Sequence, residues 1–363
     1  MSDNHRRYSA IKAGLLQFFE TAPTGRQAQY LNVLIALISG LVGARNPHLS
    51  SIASKVPSIA KRESQIKQFS RLLQNERVDQ ATFLAPFAKA LLASLSNTRL
   101  VLAIDTSAVG QDCVALLLNL IFQGRALPLG YLVVKGKKGH LAEHYHLKLV
   151  RQVQGLMSAP SQVVLVGDGE FDGQALLGQL HSFGWRYVCR TAKNSWLWLG
   201  DERTSFGGLA LQPDCLVEIT NTVFTKAEYG PVVALGWWRQ GYAEPLYLVT
   251  NFELGREALW YYRKRFKIET FFSDSKSRGF RLERSHLSEP DRLGRLLLAA
   301  CLAYLWLIFL GTVAVLEGWK VLIHRTDRCD LSLFSLGLAL LDHFINHSMP
   351  IPVAFIPFSL DWL

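Results

Sequence analysis

The sequence predicts an α/β protein, and three observations predict it. Short β-branched apolar runs at 100–105 and 163–167 read as buried strands, and stretches with helical spacing lie between and after them. The first hundred residues carry helical periodicity with short breaks. From 194 to 250 apolar and polar residues alternate between Gly and Pro turns, the pattern of a β-rich insertion. A helical C-terminal part completes the chain.

In the N-terminal part, Tyr30 to Ala44 is largely apolar and ends at Arg45-Asn46-Pro47. Leu49 to Ala53 and Glu63 to Leu73 repeat apolar residues at helical spacing, which fits a helix-turn-helix unit. Lys61, Arg62, Lys67, Arg71 and Arg77 give it a basic side. That side is either a solvated face or a surface for nucleic acid, and the residues alone leave both open.

The strand at Leu100–Asp105 is followed by apolar runs at Cys113–Phe122 and Leu127–Val134 and by a basic loop, Lys135 to His140. A helix is expected over Ala142–Met157, then a strand ending at Asp168, a helix through Leu180 and a strand at Trp185–Cys189. Three antiparallel strands, then helix, strand, helix and strand, resemble an RNase H-like core with Asp105 and Asp168 on adjacent central strands. A carboxylate at the end of a buried strand is held rigidly at a crevice; an Asx turn or helix cap is the plainer role for either one alone.

Tyr262, Arg265, Glu269 and Lys276 lie in YYRKRFKIETFFSDSK. At about 100° per residue they fall within an arc of about 60° on one helix, beside an apolar stripe of Tyr261, Ile268 and Phe272. Alone, this is a solvated face with an Arg265–Glu269 pair worth a few tenths of a kcal/mol. With two strand-end aspartates it becomes a third carboxylate among cations. Three carboxylates suit hard divalent cations such as Mg²⁺, with Mn²⁺ as the alternative, and two such ions serve in-line displacement at phosphorus.

The spacing Tyr, two residues, Arg, three residues, Glu, six residues, Lys resembles the YREK signature of DDE-class insertion-sequence transposases (the insertion-sequence-four family). Asp105 in LAIDTS and Asp168 in LVGDGEFD match the family's two aspartates; Gly169 stands where some members have Arg. The resemblance runs from about Arg71 to about Leu287. It implies catalytic and metal-binding roles for Asp105, Asp168 and Glu269, and DNA contacts from Tyr262, Arg265 and Lys276, extended by Arg278 and Arg281. It implies cleavage of element ends through a hairpin, joining of 3′-OH ends to target DNA, and a homodimer on double-stranded DNA. The implied division is 1–98 helical DNA-binding region, 99–193 first part of the core, 194–250 insertion, 251–316 second part with the Glu helix, and 317–363 helical C-terminus. Among Trp196, Trp198, Trp237 and Trp238 in the insertion, Trp238, next to Arg239, is the candidate for stacking on an extruded base, although packing is the commoner use of such rings.

Composition agrees without deciding. There are 39 basic and 29 acidic residues, a net +10 and a pI near 9.4, which favour an anionic partner. Cys113, Cys189, Cys215, Cys301 and Cys329 form no CxxC, so neither a disulfide framework nor a zinc site is suggested. Together with an N-terminus lacking a signal-peptide pattern, this fits a reducing, bacterial-type cytoplasm near the nucleoid. His140, His144 and His146 do not match HExxH, and no phosphate-binding loop appears. Leu296 to Leu316 is uncharged and long enough to span a bilayer; a central core helix is the preferred reading, with no membrane. A catalytically silent DNA-binding derivative and an RNase H-like nuclease without strand transfer are the alternatives.

Overall fold

Strand pairing organises the chain. A computed structural model describes residues 2–95, 98–139, 141–157, 162–325 and 330–360; His140, Asp327, Arg328 and Cys329 lie outside these. Six helices come first: α1 (Asp3–Leu16), α2 (Gly25–Ala44), α3 (Leu49–Ala53), α4 (Arg62–Gln74), α5 (Gln80–Phe83) and α6 (Ala85–Ser94). Then follow β1 (Leu100–Val109), β2 (Cys113–Phe122), β3 (Arg125–Lys135), α7 (Glu143–Gln154), β4 (Val163–Gly167), α8 (Gln174–Ser182) and β5 (Arg186–Arg190). The β-rich stretch supplies β6 (Trp196–Leu199), β7 (Glu202–Ser205), β8 (Leu216–Phe224), β9 (Tyr229–Trp237) and β10 (Leu246–Thr250). The rest is helical: α9 (Gly255–Tyr262), α10 (Ile268–Ser275), α11 (Pro290–Leu316), α12 (Lys320–Ile323) and α13 (Leu333–Asn346).

All ten described strands join one mixed sheet in the order β3-β2-β1-β4-β5-β10-β9-β8-β6-β7. β1 to β3 form an antiparallel meander, and β1, β4 and β5 run parallel. β10 pairs antiparallel with β5, so the β-rich stretch extends the sheet of β1–β5. β1, β2 and β4 are buried along nearly their whole length, because helices cover both faces. This accounts for their continuous apolar runs. At the β3 edge, Gln80 supplies both halves of a strand partner: its Nε2 donates to Tyr131 O at 2.8 Å and its Oε1 accepts from Tyr131 N at 3.0 Å. A side-chain amide thus blocks further pairing at that point.

α11 is apolar all round and long enough to cross a membrane, but its most apolar window is wholly buried inside the fold. α2 passes the same length test and is half buried. α11 is the central helix that the preferred reading described: it touches α2 and α4 on one side and β3 and α13 on the others. Arg295 ties α11 to the N-terminal helices by donating to Leu73 O at 3.0 Å. Its crossing with α13 depends on two glycines. A Cβ on Gly311 would land on the Leu333 carbonyl, and one on Gly337 would land on the Leu307 carbonyl. Both neighbours are backbone and cannot swing aside. Gly311→Ala is therefore expected to destabilise by about 1–3 kcal/mol, read as a lower urea midpoint with unchanged m-value.

The largest departure from the sequence reading is in the expected single helix. α9 ends at Tyr262, Arg263–Lys267 is a 3-10 helix, and α10 starts at Ile268. Lys276 is non-helical, with φ −99° and ψ −120°. A 3-10 turn advances about 120° per residue rather than about 100°. Tyr262 and Arg265 consequently stay eclipsed, while Glu269 rotates by roughly 80° from them.

On the buried face of α10, Asp274 lies 3.4 Å from Arg125 Nη1, while its Oδ1 has no hydrogen-bond partner. Burial raises its carboxyl to about 6, outweighing the pull of Arg125 and Arg278. A raised acid pKa contributes stability that is complete below the unfolded value, near 3.9, and disappears as pH rises through about 6. The native protein is therefore expected to lose roughly 3 kcal/mol more than Asp274→Asn between pH 4 and pH 7, in order of magnitude. Urea titrations of both at several pH values check this; parallel curves would refute it.

Candidate active site

The strand expected to end at Asp105 runs on to Val109, so Asp105 lies within β1, paired with Leu117 of β2, whereas Asp168 directly follows β4; each is two residues past the last registered β1–β4 pair, Ala103 with Val166. Side chains alternate along β1, so Asp105 faces the 3-10 turn at Arg263–Lys267 while Thr106 faces the opposite side, toward Glu170. Each aspartate is held by one backbone N–H: Thr106 N donates to Asp105 Oδ1 at 2.7 Å, and Glu170 N donates to Asp168 Oδ1 at 3.0 Å. Asp105 is only 3 % exposed in its side chain. Burial raises its carboxyl above the usual range; Lys138 opposes this, the Asp168 charge adds to it, and the Thr106 N–H and Arg265 oppose it.

Arg265 is the central cation. Its guanidinium lies 3.5 Å from Asp105 Oδ2 and 3.9 Å from Glu269 Oε1. Lys138 Nζ approaches Asp105 Oδ1 at 3.6 Å from the basic loop. Glu269 is therefore linked to Asp105 through Arg265, and its carboxylate is 61 % exposed at the rim. Among the described residues, no group of three or more His, Cys, Asp and Glu side chains is drawn together tightly enough to hold an ion. The donor chemistry still suits a hard cation, because Asp105 and Asp168 offer carboxylate oxygens.

The other expected site residues are placed as follows. Tyr262 is buried, which raises its hydroxyl, while Arg265 and Arg190 pull it back. It lines a cavity of about 420 Å³ with Trp237, Arg239, Tyr242, Arg265 and Arg190. Trp237, not Trp238, faces this cavity, with Arg263 over its ring at 5.0 Å. Trp238 instead donates its Nε1 proton to Tyr242 O at 2.8 Å. Trp196 already carries Arg203 over its ring at 4.0 Å. Lys276 is half-buried, and burial and Lys138 lower its ammonium, with Glu283 and Asp105 opposing. Arg278 and Arg281 are exposed on the following loop.

Sequence reasoning missed Arg190. It lines both the 420 Å³ cavity and a second, of about 630 Å³, that includes Asp168, Gly169 and Lys193. A lone Arg at a strand end carries no local signal; only the β4–β5 pairing brings it beside Asp168. His146, half of a superficial metal pattern, is buried against Phe171 at 4.8 Å.

With this geometry established, the comparisons are specific. Residues 100–306 match the family model of the transposase DDE domain. That span is more than half of the chain, and the chain belongs to this family of transposases. No curated protein matches the sequence. Among solved structures, the piggyBac transposase in a synaptic complex with hairpin DNA, determined by cryo-electron microscopy, is similar at a TM-score of 0.48 and 10 % identity, covering 99 % of this chain and 82 % of that one.

Proposed function

We propose that this transposase cuts the ends of its own insertion sequence and joins them to target DNA, using Asp105, Asp168 and Glu269 as metal ligands. The observation that carries this is the placement of Asp105 and Asp168 side by side on neighbouring parallel segments, with Arg265 joining Asp105 to Glu269. The strand order β3-β2-β1-β4-β5 with α7 and α8 supports an RNase H-like core over 99–193 and 251–316. Residues 194–250 are then its insertion, 1–98 the DNA-binding region and 317–363 the C-terminal part. Lys61, Arg62, Lys67, Arg71 and Arg77, all exposed, support duplex binding by the N-terminal helices.

When bound, a pair of Mg²⁺ or Mn²⁺ ions supplies activation of the attacking oxygen and stabilisation of the leaving one. The chain supplies the rest. Arg265 and Lys276 hold the phosphates beside the cut, and Arg190, Arg278 and Arg281 extend the cationic track. Water attacks phosphorus and frees a 3′-OH. That hydroxyl attacks the opposite strand, closing a hairpin and displacing the flank. Hairpin opening and strand transfer repeat the displacement. Glu269 joins the two aspartates once Arg265 gives up its pairing to DNA phosphate. Handling two ends calls for a homodimer on DNA, acting in the cytoplasm beside the nucleoid.

Incubating the protein and Mg²⁺ with a labelled duplex carrying the flanks of its own gene tests this on a denaturing gel. Nicked and hairpinned products that vanish with Glu269→Ala are expected. Nicks without joining would favour the nuclease reading. Tight binding with no cleavage at any metal concentration would favour the silent DNA-binding reading, in which the Arg265 bridge is the permanent state.

A further inference from the structure

Both carboxylate oxygens of Glu170 accept hydrogen bonds from other parts of the fold. Its Oε2 accepts from the Thr106 hydroxyl at 3.0 Å, and its Oε1 accepts from Leu141 N at 3.2 Å. His146, buried on α7, stands 3.8 Å from Oε1, its Nε2 unpartnered. Thr106 is itself fully buried. The backbone of the same two residues holds the aspartates, since Thr106 N binds Asp105 Oδ1 and Glu170 N binds Asp168 Oδ1. The Thr106–Glu170 side-chain bond therefore closes a bracket between β1 and the segment that follows β4, on the face opposite Asp105. The registered pairing of β1 with β4 stops at Ala103 and Val166, so this bond links the two beyond that point. Leu141 follows the loop that carries Lys138 to Asp105, so the same carboxylate also anchors that loop.

We propose that Glu170, acting through Thr106, is a positioning residue that sets the spacing of Asp105 and Asp168 for the divalent ions. This rests on the reading of those aspartates as ion ligands. Glu170 touches no substrate; its effect is on how well the two carboxylates converge. Outer-shell partners of metal ligands typically control 10–100-fold in affinity.

Mn²⁺ is the probe, its free concentration read by electron paramagnetic resonance, on the full chain and on Thr106→Val, Glu170→Met and the double variant. Thr106→Val keeps the volume and the N–H to Asp105 and removes only the hydroxyl. Each single variant is expected to bind Mn²⁺ about 10–100-fold more weakly and to need correspondingly more Mg²⁺ for half-maximal nicking. Its rate at saturating metal and its duplex affinity in EDTA should stay near native, a split that general loss of structure would not produce. The double variant should resemble Glu170→Met, because the Thr106 hydroxyl has already lost its acceptor there. Native Mn²⁺ affinity in both folded singles, or additive losses in the double, would overturn the proposal. If Glu170→Met does not fold, Thr106→Val decides alone. If the native chain binds no Mn²⁺ and cuts nothing, the ion-ligand reading itself fails, and with it this one.

Discussion

An Asp105→Asn protein is expected to bind duplex like the native chain, to cut it at least about 10³-fold more slowly, and to melt at a higher temperature in EDTA. On the proposed reading, the rate loss follows from removing a ligand to ions that would contribute several kcal/mol of transition-state stabilisation, at about 1.4 kcal/mol per tenfold. The stability gain follows from the direction of the Asp105 shift. Burial disfavours its charged form more than Lys138, the Thr106 N–H and Arg265 favour it, so the folded chain strains to keep this carboxylate ionised at neutral pH. Asn keeps the oxygen that accepts from Thr106 N and discards the charge. Adding Mg²⁺ should raise the native melting temperature by mass action and leave the variant unmoved; a hundredfold excess over Kd corresponds to about 2.7 kcal/mol. A variant that melts lower in EDTA would show that Asp105 is held for structure.

What the sequence made legible divides along range of interaction. β1 and β4 were readable because strands covered on both faces must be continuously apolar, so the first carboxylate after each run stands out. α11 was readable as a core helix for the same reason. The arc of Tyr262, Arg265 and Glu269 was drawn on a continuous α-helix, and the 3-10 stretch at Arg263–Lys267 undoes it. Nothing local distinguishes those periods over five residues, four of them cationic. The joining of β10 to β5, the Thr106–Glu170 bond and the approach of Arg190 to Asp168 all depend on pairings distant in sequence, and no local pattern encodes them.

Arg265→Ala should split two quantities that most site variants lose together. Its guanidinium is nearly buried and is shared between Asp105 at 3.5 Å and Glu269 at 3.9 Å. Without it, the cation that pairs with both carboxylates is gone, and less Mg²⁺ should be needed for half-maximal binding. The cleavage rate at saturating Mg²⁺ should nevertheless fall by about 10²–10³-fold, the usual cost of losing a donor aimed at developing charge. Arg265→Lys should recover little of that rate, because an ammonium cannot span two carboxylates or a phosphate edge as a planar fork does. The fold should feel the loss too. Asp105 already has a raised pKa, so its contribution to stability is complete below the ordinary Asp value and declines as pH rises above it. Removing a cation pushes that pKa higher and steepens the decline. In EDTA the urea midpoint of Arg265→Ala should therefore fall further between pH 5 and pH 8 than that of the native chain. If metal binding weakens along with the rate, Arg265 does not wedge the carboxylates apart, and Glu269 must reach the ions by a movement of α10 itself.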